Sequence, residues 1–279
     1  DAGWFRGLRP EAADADAARE RIAAGEAAAP RDWPRLAVDA GFAESESAYY
    51  DRLHEAAMGA TREAVRERER ADDQQLIHAV RAMDDCERVA NELAERAAEW
   101  AGSLFEETDA GLAGARAVAE REPSGDLERR AVSMSARAVD LADERDALSA
   151  TIERIAPAVA PNLAAMAGAE LAARLIALAG GLEPLAKKPS GTVQVLGAED
   201  ALFAHLSGRA PSPKHGIIYT HEFVRGTRPA DRGSAARALA GKLTLAARVD
   251  HYSGEYREQL HADLRDRMEA IRARAETDE

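Results

Sequence analysis

One cysteine, Cys86, stands in 279 residues, which excludes an internal disulfide framework and any zinc site built from several thiolates. Lysine is almost as scarce: Lys187, Lys188, Lys214 and Lys242 are the whole set, leaving 33 of the 37 cations as arginine. Aromatic residues are only 5% of the chain, and 65 alanines supply about half of the 46% that is hydrophobic. Alanine buries little area but has the best helix propensity, so long helices with small side chains between them fit this composition better than one thick core. No apolar run approaches the ~20 residues of a membrane span, and at 31% charged residues a membrane protein is excluded. Residues 1–10 hold no basic stretch followed by an apolar one, so no secretory signal is read there and a cytoplasmic location is the expectation.

The chemistry-bearing motifs are missing too. None of the seven histidines (His54, His78, His205, His215, His221, His251, His261) pairs at i,i+4 on a helix with carboxylate support. There is no Walker A loop, no GxGxxG and no nucleophile elbow. The sequence therefore builds no active site and implies no cofactor and no metal, and a non-enzymatic role leads.

What is present is charge asymmetry and periodicity. The net charge is −13, yet residues 156–255 hold 11 basic against 8 acidic residues, including all four lysines. A segment of net +3 in a chain whose remainder is −16 suggests a local anionic partner. The acidic, alanine-rich, lysine-poor composition fits a salt-adapted proteome or a GC-rich genome.

Four segments follow. Residues 1–60 form a small module with scattered aromatics (Trp4, Phe5, Trp33, Phe42, Tyr49, Tyr50), its helices broken by Pro30 and Pro34. Residues 61–155 form a coiled-coil hairpin. Its first arm, 61–101, reads as one long helix with a 3,4-spaced seam of Leu76, Ala79, Met83, Cys86, Ala90, Leu93, Ala97 and Trp100. Gly102 to Gly125 interrupt it. Ser124 then caps a second arm with the seam Leu127, Ala131, Met134, Ala138, Leu141, Arg145, Leu148, Ile152 and Ile155. A narrow seam of this kind leaves a surface for a second copy. Pro157 and Pro161 end that pattern. Residues 156–255 form a compact, mostly helical domain with a helix over 163–180 stopping at Gly180-Gly181, a β-like run at Thr192–Leu196, a helix over 198–207, a second β-like run at Ile217–Tyr219 and a helix over 234–250. Residues 256–279 are a charged amphipathic helical tail on Leu260, Leu264, Met268 and Ile271. The fold class is thus mostly α with minor β.

The order of strings in the third segment carries more than its composition: Ala160-Pro161-Asn162-Leu163, Gly168 to Arg174, Leu185-Ala-Lys187-Lys-Pro189, Val195-Leu-Gly197-Ala198-Glu199, Pro213-Lys214-His215-Gly216-Ile-Ile-Tyr219, and Ala236-Arg237-Ala-Leu-Ala-Gly-Lys242-Leu-Thr-Leu-Ala-Ala-Arg248-Val-Asp250. This succession resembles the Nop domain of the archaeal Nop family, scaffolds of box C/D small ribonucleoproteins. The resemblance implies a division of labour. The N-terminal module docks the fibrillarin-type methyltransferase, the coiled coil makes a homodimer, and the Nop domain grips a kink-turn in the box C/D guide RNA together with its kink-turn-binding protein. The particle performs RNA-guided 2′-O-methylation. On that resemblance the RNA or partner contacts are Gly197, Ala198, Glu199, Lys187, Lys214, His215, Arg237, Lys242 and Arg248; the fibrillarin-docking residues, inferred from family order alone, are Trp33, Phe42 and Tyr49, whose other reading is the small core of the module itself. Two signatures depart from the family: its Gly-Ala-Glu-Lys reads Gly197-Ala198-Glu199-Asp200 here, and its Ala-Leu-Phe-Arg reads Ala201-Leu202-Phe203-Ala204. The rival reading is a coiled-coil assembly protein with no RNA role.

Overall fold

A computed structural model describes residues 3–8, 14–25, 29 and 31–277; the Pro30 of the sequence reading lies outside them. The chain divides into two compact units, one ending at Ala71 and one from Asp72 onward. No strand occurs among the described residues.

The first unit holds α1 (Ala15–Ala24), α2 (Trp33–Asp39) and α3 (Glu46–Arg70). Ser45 starts α3 in the usual way, its Oγ accepting the Ala48 N–H at 3.2 Å. The unit's core is aromatic. Phe5, Phe42 and Tyr49 are buried with Ala37 and Ala43, and Trp4, Trp33 and Leu53 pack against them. Phe5 stacks on Phe42 at 5.5 Å, and the Trp4 indole N–H donates to the Tyr49 hydroxyl at 3.3 Å. Phe42 and Tyr49, read in the sequence as docking residues, are thus 6% and 3% exposed: their rings pack inside the module's own core and are closed to a partner.

The second unit begins with α4 (Asp72–Ala101), α5 (Gly111–Ala119) and α6 (Asp126–Val159). The first arm is not continuous over 61–101, because Ala71 adopts an extended conformation (ψ 142°) between α3 and α4. The acidic pair Asp72-Asp73 then opens α4, where negative charge suits the helix N-terminus. α4 and α6 run antiparallel. Leu76, Ile77, Val80 and Met83 meet Ile152 and Ala156 at one end, and Ala94 meets Ala138 further out. The second seam keeps Ala131, Ala138 and Ile152 of the sequence reading but takes Ser135, Ala142 and Ala156 in place of Met134, Leu141 and Ile155. Ala131, Ser135, Ala138 and Ala142 are buried, whereas Leu127 is 61% exposed. The interrupting segment is less irregular than its glycines suggest, for α5 packs on both arms. α6 also carries Pro157 within its last turn: the residue points to solvent, and so near the helix end it forfeits a single backbone bond.

After Ala160 the chain enters a helical domain: α7 (Pro161–Ala167), α8 (Ala169–Ala179), α9 (Leu182–Lys187), α10 (Ser190–Val195), α11 (Glu199–Leu206), a 3-10 turn at Ile217–Thr220, α12 (Glu222–Arg225), α13 (Arg232–Tyr252) and α14 (Glu258–Thr277). The helix read over 163–180 is two helices bent by 119°, because Gly168 takes φ +83° and leads the chain out of α7. The two β-like runs are α10 and the 3-10 turn. They do lie side by side, Gly216 N donating to Gln194 O and Ile217 N to Leu196 O at 2.8 Å each. Short runs of β-branched residues do not separate a strand from a buried helical turn. α14 is no detached tail: Leu264, Met268 and Ile271 enter the same core as Leu163, Leu175, Leu239 and the inner ends of α4 and α6.

Buried polar contacts fix this arrangement. The Asp250 carboxylate, near the end of α13, accepts from Asn162 N (2.9 Å), Asn162 Nδ2 (2.6 Å) and Leu163 N (2.8 Å), satisfying the free N–H groups that open α7. Asp73 of α4 does the same for Leu182 N at the start of α9, at 2.9 Å. Arg174 of α8 pairs with Asp84 of α4 at 2.7 Å. Among the described residues no single helix is long and apolar enough to cross a membrane; α7 and α8 reach that composition only together, and they are bent and lie largely within the core.

Candidate nucleic-acid interface

The residues singled out in the sequence occupy three places on the helical domain. The first is the turn between α10 and α11. Gly197 takes φ +81°, a conformation that favours glycine, and a Cβ there would sit tightly, 3.3 Å from both Ile217 Cβ and Leu178 Cδ1. Its N–H donates to Glu199 Oε1 at 2.8 Å. Glu199 thus closes its own turn. With Asp200 it fills the first turn of α11, where the helix dipole favours carboxylates. α11 buries none of its residues, and Phe203 and Leu206 stand 62% and 72% exposed.

The second place is the loop before the 3-10 turn. Lys214 is exposed, and its carbonyl accepts the Gln194 side-chain amide at 2.7 Å. The His215 ring stacks on Tyr219 with centroids 4.6 Å apart and planes 21° from parallel. The Arg232 guanidinium lies 5.4 Å from the centroid of the same Tyr219 ring, fixed by Nε–H donation to Thr227 O at 3.0 Å. Burial first, then the nearby charge of Arg232 and Lys214, pushes the His215 pKa below its usual value, keeping the ring neutral at pH 7. A cation beside a preformed aromatic and guanidinium stack is the combination with which proteins hold phosphates and unpaired bases. Tyr219 closes one of the strings that carry the resemblance, and Arg232-Gly233 belongs to the same succession, but nothing in the linear order marks either, four and seventeen residues from His215, as its contact.

The third place is the outer face of α13. Arg237, Leu245 and Arg248 are exposed along it and Gly241 is half-buried. The Lys242 ammonium pairs with Asp263 of α14 at 2.7 Å, which spends that cation inside the fold. Arg248 donates from Nε to the Ala186 carbonyl at 3.0 Å, and does not pair with Asp250, whose carboxylate faces inward. Lys187, at the end of α9, pairs with Glu183 at 2.5 Å on the surface. Arg237 alone of these four has no hydrogen bond or ion pair among the described residues.

Family comparison decides what this domain is. The model described as "Nop: snoRNA binding domain, fibrillarin" matches residues 70–270. The chain belongs to the Nop family. An uncharacterized NOP5 family protein of Methanocaldococcus jannaschii is 32% identical over 275 residues, covering 85% of this chain and 66% of that protein. Nucleolar protein 56 of Mus musculus is 39% identical over 137 residues, which is 49% of this chain and 24% of the mouse protein. The chain therefore spans about two thirds of the archaeal relative's length and about a quarter of the mouse one's. Among solved structures, the crystal structure of a fibrillarin/Nop5p complex matches at TM-score 0.54 and 27% identity, covering 91% of this chain and 92% of that one. The Nop match takes in the hairpin as well as the helical domain, in keeping with the core shared by α4, α6 and the helices after Pro161.

Proposed function

We propose that the chain is a non-catalytic scaffold of a box C/D ribonucleoprotein. Its helical domain binds a kink-turn RNA already carrying its kink-turn-binding protein, its hairpin pairs with a second copy, and the particle it organises serves RNA-guided 2′-O-methylation in the cytoplasm by recruiting a fibrillarin-type methyltransferase. The observation that carries the RNA part is the Lys214–His215–Tyr219–Arg232 corner, a stacked cationic surface in the net-positive segment of a chain of charge −13. The homodimer reading rests on the narrow hairpin seam, where Leu93 and Met134 stay half-exposed beside Val89. Recruitment of the methyltransferase rests on the likeness to the fibrillarin/Nop5p structure. With Phe42 and Tyr49 buried, the docking surface would be made of outward residues of the first unit such as Leu36 and Tyr50, 40% and 57% exposed.

Affinity purification of the chain with and without nuclease tests this reading. A methyltransferase retained in both samples and a kink-turn-binding protein lost on nuclease treatment is the expected result. Purification of the chain with neither, or unchanged partner recovery from a Lys214→Ala Arg232→Ala variant, would sink the RNA role and leave the coiled-coil assembly reading.

A further inference from the structure

α13 ends its outer face on Arg248 and, one turn later, Tyr252. Tyr252 is 70% exposed, so folding gains little from its ring, and its neighbour His251 touches it only edge-on at 4.6 Å. α9 packs on this end of α13 and delivers Lys187 and Lys188 beside it, with Arg248 tied to the Ala186 carbonyl between them. The Arg248 Nη groups make no hydrogen bond among the described residues, and Lys188 makes no ion pair. Arg248, one turn before Tyr252 on the same helix, and Lys187 thus flank the ring, Lys188 follows Lys187 in the chain, and Glu183 pairs with Lys187. The Lys187 pKa is raised, chiefly by Glu183 and in smaller part by the Tyr252 phenol, which places the ring within electrostatic reach of that ammonium. From Lys188 the surface continues over α10, about 9 Å long, with Ser190, Gly191 and Thr192 exposed, and Gln194 at its far end holds the Lys214 carbonyl.

We propose that Tyr252, flanked by Arg248, Lys187 and Lys188, is a second RNA contact, on which an unpaired nucleotide stacks while the cations take the flanking phosphates. The inference rests on the RNA-binding reading above and adds a site to it. An open aromatic face among cations suits a single strand, because every base offers a π-face. The exposed hydroxyls of Ser190 and Thr192 between this site and Lys214 suit phosphate and 2′-hydroxyl groups. An acidic peptide could pair with the cations but would leave the open Tyr252 face uncovered, whereas a nucleotide uses both.

The test uses the full chain and fluorescence anisotropy with a short labelled oligouridine, a blunt RNA duplex of the same length, and the kink-turn RNA–protein complex. Tyr252→Ala should weaken oligouridine binding about tenfold, leave the duplex unchanged, and leave the melting temperature unchanged because the ring is exposed. Tyr252→Phe should restore binding. Lys188→Ala should lower the slope of log affinity against log salt by about 0.7. Wild-type affinity in Tyr252→Ala, or equal losses for strand and duplex, would overturn the site. So would polyglutamate displacing the strand as well as unlabelled oligouridine does, which would assign the patch to an acidic protein. Failure of the wild type to bind the kink-turn complex would instead sink the function proposed above, and the oligouridine series would still decide Tyr252.

Discussion

The helical domain and the outer half of the hairpin are built from the same periodic pattern but from different side chains. The domain buries Leu163, Leu175, Ile176, Leu185, Ile218, Leu239 and Leu243 almost completely, each worth about 1.5–3 kcal/mol relative to exposure. The outer hairpin buries Ala94, Ala115 and Ala138, whose methyl groups contribute far less per residue. Small residues let helices approach closely and keep the seam narrow. The price is a thin core whose flanks, Leu93 and Val139, stay half-exposed. The stability of the second unit is therefore concentrated where the cationic corner sits, and the hairpin is left with surface to share.

The sharpest way to break this comparison is to empty one core and overfill the other. Leu239→Ala removes a fully buried side chain from α13 and should cost about 3 kcal/mol, read as a lowered urea midpoint for the whole second unit. Ala138→Leu forces extra carbons into the α4–α6 seam and should cost about 2 kcal/mol. Its mark should be local, with faster amide exchange near Ala94 and Ala138 and unchanged protection in α8 and α13. Equal loss of protection in both places would show that the two regions unfold as one and that the contrast has no energetic content.

A third prediction probes a polar contact inside the domain against the alanine seam of the outer hairpin. His221 Nε2 lies 3.1 Å from the Met166 carbonyl, and Nδ1 accepts the Phe223 N–H at 3.1 Å, an arrangement that needs the neutral ring. Burial is the main cause that lowers its pKa below the usual ~6.5. As pH falls, the unfolded chain therefore takes up the proton first. Stability present above pH ~6.5 is lost as pH falls toward the depressed folded value. His221→Asn should cost about 1 kcal/mol at pH 7 and flatten part of the loss between pH 7 and 5. His215 and His261, also lowered mainly by burial, would account for what remains. The same acid titration should leave amide protection at Ala94 and Ala138 unchanged.

Much of this contrast was hidden in the sequence for definable reasons. The heptad spacing located both hairpin arms, and Gly180-Gly181 marked a real helix end, Gly180 taking the left-handed conformation. Spacing says nothing of depth, however, so Leu127 and Ala131 looked equivalent although one is 61% exposed and the other fully buried. Gly168 is one glycine among twenty, and its role as a 119° corner depends on a positive φ that no linear pattern reveals. The aromatics of the first unit were legible as a cluster and as material for a small core, but linear order does not tell which of them face inward and which outward. The site was half legible: Lys214 and His215 stood out, while Tyr219 and Arg232 became partners only when the 3-10 turn and α12 brought them together.

The smallest effect concerns cations that the linear sequence treats alike. Lys242 and Lys214 both lie in the net-positive segment, but Lys242 is closed onto Asp263, twenty-one residues away on another helix, and Lys214 is open to solvent. The hydrogen bond from Lys242 holds the Asp263 pKa below the ordinary carboxylate value, which keeps that carboxylate ionised. Lys242→Ala should change stability little, as expected for an ion pair near the surface, and should leave the salt dependence of RNA binding unchanged. Lys214→Ala should do the reverse, sparing stability and lowering the salt slope by about one. If Lys242→Ala weakened RNA binding as much as Lys214→Ala, the ion pair with α14 would have to open on binding. The groove between α13 and α14, with Arg237 and Arg267 at its rim, would then belong to the RNA surface.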